Sequence, residues 1–451
     1  MCSLGVVMSA NRLKIEVNAL KEGMFVSDLD RPWHETPFPL QGFYIRLDDD
    51  VQALTKYCKY VYIDVLKQKA KTVHKTHIPF DRNPKRAEKK SDTHTVSLPP
   101  LVIKSPKTYE TVNSIHKEVA KAEKLHRHIY EAISHVFACV SGDNPLLLKE
   151  TVKETERVAE GMVESVIRNP DALIWLSKMN DQDSHSYQHS VKASIWSLVF
   201  GRHLGLDKTQ LKSLAMGVLL AHIGKTKISE EVLDGVAESD SSFEADYQKY
   251  IQHSLDALLT MEDLPKGVLS IVEFHQERHN GTGFPKGVTG ERIPLLAKIA
   301  GLVHYYQELI SPRNDDAGLS PLAAVSKLYE LRNISFQQDI VERFIEAVGV
   351  FPTGTLVELS SNEIGIVTGH NQDRRLLPKV MVVLDENKQK LKHAKLIDLK
   401  ELSLSGKSKA AIFIKDSLPK GAYNIDENQY LLSGATSKWS WRHITSSIAV
   451  N

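Results

Sequence analysis

Apolar positions recur at helical spacing through the middle of this chain and alternate at strand spacing towards its two ends. Near the start, Leu13-Lys-Ile-Glu-Val17 alternates and predicts a strand, with Lys21-Glu-Gly23-Met as the turn after it. The stretch from Val26 to Trp33 follows, then a segment punctuated by Pro37 and Pro39. A short helix near Asp49–Tyr57 and a strand over Tyr60–Asp64 close this unit at about residue 66. So short a piece has a small core and needs to pack on the rest of the chain or on a partner. Trp33 is read as a packing residue. From 67 to 106 the periodicity dissolves into Pro, Ser, Thr and His around Lys67, Lys69, Lys71, Lys75, Lys85, Arg86, Lys89 and Lys90, which predicts a solvated, flexible basic linker.

Residues 107–168 read as a helical hairpin. One helix runs through Glu110–Val140, Ser141-Gly-Asp-Asn-Pro145 breaks it, and a second ends before Asn169-Pro170. The hairpin could carry a dimer contact or a signal from the first unit, though packing on the next domain is the simpler role. Residues 169–350 continue the helical texture. Val191, Ile195, Leu198 and Val199 share one face of a helix that Gly205 ends, and Leu211, Leu214, Ala215, Val218 and Leu219 bury the face of a helix over Gln210–His222. A loop is expected at Gly235–Asp240. Further helices are expected at Asp246–Leu259, Lys266–His275, Leu295–Ile310, Pro321–Asn333 and Asp339–Val348. Pro352 opens a different pattern, with alternation over Thr355–Leu359, Gly365–Thr368 and Lys379–Leu384 that predicts a small β meander reaching 404. The tail, 405–451, holds one candidate strand, Ala410–Ile414, and residues 1–12 form a leading tail. The expected fold is mainly α, with a small N-terminal α/β unit and a small C-terminal β extension.

Composition narrows the function. Of 451 residues, 42% are apolar and 25% charged, as in ordinary globular chains, and the formal net charge is +1. That balance argues against a uniform field for gripping duplex nucleic acid or an acidic membrane. Cys2, Cys58 and Cys139 are far apart, which predicts reduced thiols with neither a disulfide framework nor a zinc ribbon. No run of eighteen apolar residues predicts a spanning helix. Met1–Ala10 lacks the basic region of a signal peptide, the start could be Met1 or Met8, and a cytoplasmic protein is expected.

The chemistry gathers between Asp183 and Arg313. His185 and His189 lie one helical turn apart, and His222, His253, His275 and His304 follow on later helical segments. Lys225 and the turn Asn280-Gly-Thr-Gly283-Phe284-Pro285 sit among them. These anchors resemble an HD-GYP domain, the branch of the HD superfamily associated with hydrolysis of cyclic di-GMP. The resemblance runs over residues 183–345 and rests on His189-Ser-Val, Gly201-Arg-His-Leu-Gly205, Leu219-Leu-x-x-Ile-Gly-Lys225, His253, His275-x-Glu-Arg, Asn280–Pro285, Ile293-Pro, Ala297-Lys-Ile-Ala300 and Arg313. Residues 13–66 are similar to a small domain common ahead of HD-GYP domains, through Leu20-Lys-Glu-Gly-Met-Phe-Val, Leu29-Asp-Arg-Pro-Trp33 and Val61-Tyr-Ile-Asp64.

The resemblance implies an HD-superfamily helical domain and a centre of two or three metals, usually iron or manganese. It carries the first ligand onto His189 and a later single histidine onto His253. The His-Asp pair falls on Ala221-His222, the His-His pair on His275-Gln276, and the last aspartate on His304; Gln307 takes a nearby second aspartate, and Phe284 the tyrosine of the GYP motif. A carboxylate can bridge two divalent ions and offset their charge, whereas a neutral imidazole binds one ion through one nitrogen. The substitutions therefore remove the bridged clamp that would activate water and stabilise both phosphoryl oxygens. They leave an imidazole-rich set, His189, His222, His253, His275 and His304 with His185 as a sixth, suited to one divalent transition metal such as iron, manganese or zinc, or to none. Lys225 stands as catalytic charge neutraliser or as a cap on its own helix end. Arg278 and Arg313 stand as phosphate contacts or as ion pairs, and Gly283, Phe284 and Pro285 as a ligand-touching turn or a backbone-determined one. The implied function is cyclic di-GMP signalling through an altered centre, with weak or no phosphodiesterase activity and a binding or scaffolding role. An active phosphodiesterase with a histidine-rich centre and a non-nucleotide adaptor stay open. Expected partners are cyclic di-GMP or a related cyclic dinucleotide, a protein bound through the N-terminal unit, and a second copy in a homodimer.

Overall fold

The computed structural model describes residues 12–31, 33, 36, 38, 42–45, 48–64, 98–99, 101–178, 185–234, 241–261, 264–265, 267–313, 318–349, 351–371, 374–405, 412–418 and 421–425. The tails at 1–11 and 426–451, the linker core at 65–97, the loop at 235–240 and Ala410–Ala411 of the expected last strand lie outside the described residues.

At the N-terminal end, β1 (Arg12–Glu16), β2 (Phe25–Leu29), β3 (Phe43–Tyr44) and β4 (Tyr60–Asp64) form an antiparallel sheet in the order β1-β4-β2-β3, with helix α1 (Asp48–Tyr57) between β3 and β4. The alternation read in the sequence puts Val61 and Ile63 inward, and both are buried with Val26, Leu54 and Trp33. Trp33 packs edge-on against Phe43. The sheet leans on the helical domain: Phe43 meets Tyr329 edge to face at 5.6 Å, and Asp50 pairs with Arg332 at 2.9 Å where both side chains are under one-tenth exposed.

The hairpin is α2 (Ile115–Ser141) and α3 (Pro145–Arg168). Ser114 caps the first through Lys117 N–H, and Asn144 with Pro145 starts the second. At its base, fully buried Glu118 accepts from Arg168 Nε and Nη2 at 2.9 and 2.7 Å, from Ser165 at 2.8 Å and from Asn113 at 2.7 Å. Asn169 ends α3, caps α4 (Pro170–Ser177) through Asp171 N–H and donates to Asn113 O, so chain direction changes without an unsatisfied amide.

The helical domain follows as α5 (His185–Leu204), α6 (Lys208–Leu220), α7 (Glu230–Asp234), α8 (Ser241–Leu259), α9 (Val268–Phe274), α10 (Leu295–Ile310), α11 (Pro321–Glu330) and α12 (Gln338–Val348). An Asp207/Gln210 capping box starts α6. Val191, Ile195, Leu198, Leu214, Val218, Ile271, Val303 and Phe344 fill the core between these helices. The helix expected to reach His222 stops at Leu220, and a 3-10 turn over Ile223–Lys227 follows.

Beyond it, β5 (Leu356–Leu359), β6 (Ile364–Asn371), β7 (Arg374–Leu384), β8 (Lys390–Asp398) and β9 (Ile414–Ser417) form an antiparallel sheet ordered β8-β7-β6-β5-β9, with α13 (Leu399–Ser405) after β8. This sheet packs Leu356, Ile364 and Ile366 on Trp175. Strand β8 extends the expected meander. It is an edge strand with charged residues at Lys390, Lys392, Lys395 and Asp398 and only Ile397 buried, so its sequence lacks the alternation that marks a half-buried strand. No helix among the described residues is long and apolar enough to cross a membrane. Cys58 and Cys139 are free and buried.

Candidate metal centre

Four helical segments bring an imidazole each into one buried cluster. His189 comes from the first turns of α5, His222 from the turn after α6, His275 from the residue closing α9, and His304 from the middle of α10. All four are at most 4% exposed. Gly224 lets α8 lie against the turn that carries His222: its N–H donates to Ser254 Oγ at 2.9 Å, and a Cβ there would sit 2.1 Å from Tyr250 O.

His189, His222 and His304 offer nitrogens that all lie within 4.8 Å of one another. His189 Nε2 and His304 Nδ1 are 3.1 Å apart, and their rings are stacked within 6°. Nitrogens about 2.05 Å from a shared tetrahedral ion would be about 3.3 Å apart, so this pair is nearly spaced for one ion. Burial, then the neighbouring charges of Lys225 and the other rings, hold His222 and His304 well below the ordinary histidine range. They are neutral imidazoles, the ligand form. Glu308 lies one turn beyond His304, its carboxylate 3.6 Å from His189 Nδ1 on the side of the ring away from His304 Nδ1.

His275 is in the cluster but is not one of the three. Its ring is centred 5.3 Å from that of His222 and 5.2 Å from that of His304. Its Nδ1 lies 2.9 Å from Val272 O and 3.2 Å from Ile271 O, and its Nε2 lies 2.9 Å from the Tyr250 hydroxyl. Two carbonyls at Nδ1 require the proton there, so Nε2 accepts from Tyr250 O–H. Burial brings the pKa of His275 down to about 3.

His253 is a correction to the expected ligand set. It is half-buried on α8 and outside the cluster, because that helix turns Tyr250 and Ser254 inward instead. His185 opens α5, and its side chain lies outside the described residues. Lys225 stands beside the cluster, its ammonium 5.2 Å from the Tyr250 ring centre. Arg278 is turned inward: it donates to Gln276 Oε1 at 2.9 Å and Glu277 O at 3.1 Å and lies 5.4 Å from the Phe336 ring centre, so it braces the loop after His275. Arg313 pairs with Asp234 at 2.7 Å and with Glu230, tying the end of α10 to α7. At Gly283 a Cβ would lie 2.4 Å from Arg278 N and Gln276 O, so the glycine permits a close backbone crossing. Phe284 packs with Tyr250 and Ile251, Pro285 is exposed, and Glu277 holds the turn by accepting from the amides of Lys286, Gly287 and Val288. Tyr250 and Glu308 escaped the sequence reading, which held Glu277 only as part of the His275-x-Glu-Arg anchor; for Glu308, the four-residue step from His304 was a usable signal.

Residues 176–336 match the HD domain model, and residues 12–151 match a domain of unknown function, DUF3391. A cyclic di-GMP phosphodiesterase of Pseudomonas aeruginosa is 26% identical over 372 residues, 82% of this chain and 84% of that protein. The chain thus carries a DUF3391 domain followed by an HD domain, and it resembles HD-GYP proteins. A cyclic di-GMP phosphodiesterase of Borreliella burgdorferi is 25% identical over 54% of this chain and 62% of its own length. A 3'3'-cGAMP-specific phosphodiesterase of Vibrio cholerae is 26% identical over 36% of each.

Within the HD domain the positions of both expected aspartates, His222 and His304, bring imidazoles to the centre. His222 Nε2 is buried without a protein hydrogen-bond partner, which leaves its lone pair for an ion, and His304 offers Nδ1 beside His189 Nε2. Three neutral imidazoles fit one divalent transition metal and do not fit a carboxylate-bridged pair.

Proposed function

We propose that this protein is an HD-GYP cyclic di-GMP signalling protein that binds the nucleotide at a one-metal, all-imidazole centre and hydrolyses it weakly or not at all. The observation that carries the reading is the ligand set: His189, His222 and His304 converge, and among the described residues no carboxylate belongs to the group. A bound metal would supply Lewis-acid attraction for a phosphodiester oxygen. His189, His222 and His304 would hold it, Glu308 would keep His189 in its ligating tautomer, and Lys225 would meet the negative charge of the phosphodiester. Without a bridging carboxylate, a second ion has nothing to neutralise its charge, and the attacking and leaving oxygens are not clamped together. The names of the relatives support a cyclic dinucleotide as ligand. The N-terminal sheet and the hairpin would supply protein contacts in a cytoplasmic complex.

A second reading, a working phosphodiesterase with a histidine-rich centre, is favoured by Lys225 beside the cluster. Elemental analysis of the purified full chain, with cyclic di-GMP calorimetry and turnover in added iron, manganese or zinc, tests both. About one metal per chain with nucleotide binding and no turnover supports the proposal. Turnover lost in His222→Ala establishes the second reading, and absence of both metal and nucleotide binding leaves an adaptor.

A further inference from the structure

We propose that the Tyr250 hydroxyl is a stopper on His275, holding that imidazole out of the metal centre and fixing the centre at three protein ligands. The inference deepens the one-metal reading and rests on it. His275 has the setting of a ligand: Nδ1–H is tied to the carbonyls of Val272 and Ile271, which leaves the Nε2 lone pair as the reactive end. The ring stands as close to His222 and His304 as those to His189. What occupies the lone pair is the Tyr250 O–H at 2.9 Å. A hydroxyl hydrogen bond and a metal bond compete for the same pair of electrons. Tyr250 is itself held firmly: it is fully buried on α8, its ring packs edge-on against Tyr247, His222 and Phe284, and its own backbone carbonyl crosses Gly224. Three protein ligands leave a metal coordination position for a phosphodiester oxygen; a fourth imidazole would fill it. Tyr250 is thus a positioning residue that keeps the centre open.

Tyr250→Phe removes the oxygen and keeps the ring, so the packing survives. The full chain, wild type and Y250F, is titrated with cobalt(II) and followed by its visible ligand-field bands, with a thermal melt to establish folding. Y250F should bind cobalt roughly tenfold more tightly or better, the scale on which groups behind a ligand act, with bands intensified towards a four-nitrogen tetrahedral ion. Adding His275→Ala should return both readouts to those of the wild type. Unchanged affinity and bands in Y250F, or a gain that persists without His275, overturns the stopper while leaving the one-metal reading intact. Cobalt taken up only by Y250F supports the stopper and sinks the wild-type metal reading; uptake by neither protein overturns both. Nitrogen-15 NMR of the histidine rings gives a metal-independent check: His275 should carry its proton on Nδ1, and a proton on Nε2 overturns the proposal.

Discussion

Replacing Arg332 by methionine should loosen the N-terminal sheet from the helical domain. Asp50 and Arg332 are 2.9 Å apart with side chains only 9% and 8% exposed, and the guanidinium also lies 3.3 Å from the Tyr329 ring centre and 3.6 Å from Glu342. At an effective dielectric of about 20 the raw attraction of the Asp50 pair is about 6 kcal/mol. Desolvation offsets much of it, yet removing one partner leaves the other charge buried, and such losses run to about 3–5 kcal/mol. Asp50→Asn leaves Arg332 its ring contact and Glu342, so its loss should be smaller. If the two groups act on each other, the double variant should lose less than the sum of the singles, by about 2 kcal/mol. Hydrogen exchange of Val61 and Ile63 amides in the full chain reads the opening of the sheet directly. A loss below about 1 kcal/mol in Arg332→Met would contradict the cost of uncovering a buried charge. Additive single and double variants would show that the pair is contact without coupling.

Three further outcomes are expected. His126, buried on α2 with Lys192 nearby, is held down to about 4 by burial first and that charge second. Between pH 6.5 and 4 the unfolded chain therefore binds the extra proton, so this stability is present above the ordinary histidine pKa and is lost as pH falls, by up to about 3 kcal/mol; urea midpoints across that window should flatten in His126→Phe. Gly224→Ala would put a methyl against Tyr250 O and Ser254 N, at 2.1 and 2.5 Å, pushing α8 off the Lys225 turn; a loss of roughly 1–3 kcal/mol on melting and of cobalt affinity is expected, and an unshifted melt would refute the contact. Glu118→Ala should cost about 3–5 kcal/mol by stranding Arg168, Ser165 and Asn113, and a melt like that of a surface variant would mean the hairpin base is not closed as described.

Much of the fold was legible because the central helices bury continuous apolar faces, and breakers such as Gly205 and Asn169-Pro170 sit at their ends. Of the centre, His189, His222 and His304 could be read from their place in a family pattern. What resisted reading depends on helix rotation and on through-space partners. The sequence offers His253 as a ligand, yet the rotation of α8 is set by Gly224 and Ser254, and it delivers Tyr250. The arginines show the same limit: charge left phosphate contacts and ion pairs both open, and only the fold shows Arg278 consumed by the loop it braces and Arg313 by Asp234 and Glu230. Strand β8 was hidden because an edge strand can satisfy its lone side with water and needs no apolar alternation.

The hairpin described at the start of the helical region is also a lever. At 1.5 Å per residue its two arms are about 40 and 36 Å long, and both ends are pinned. One end is the Glu118–Arg168 knot. At the other, Lys227 donates to Ser141 O and to Asp143 Oδ1 at 3.2 and 2.6 Å, and Lys227 belongs to the same five-residue turn as Lys225. Just past that pin, Leu146 and Leu147 stand exposed at the tip. Those two leucines thus stand a few residues from a turn that also carries the lysine beside the histidine cluster.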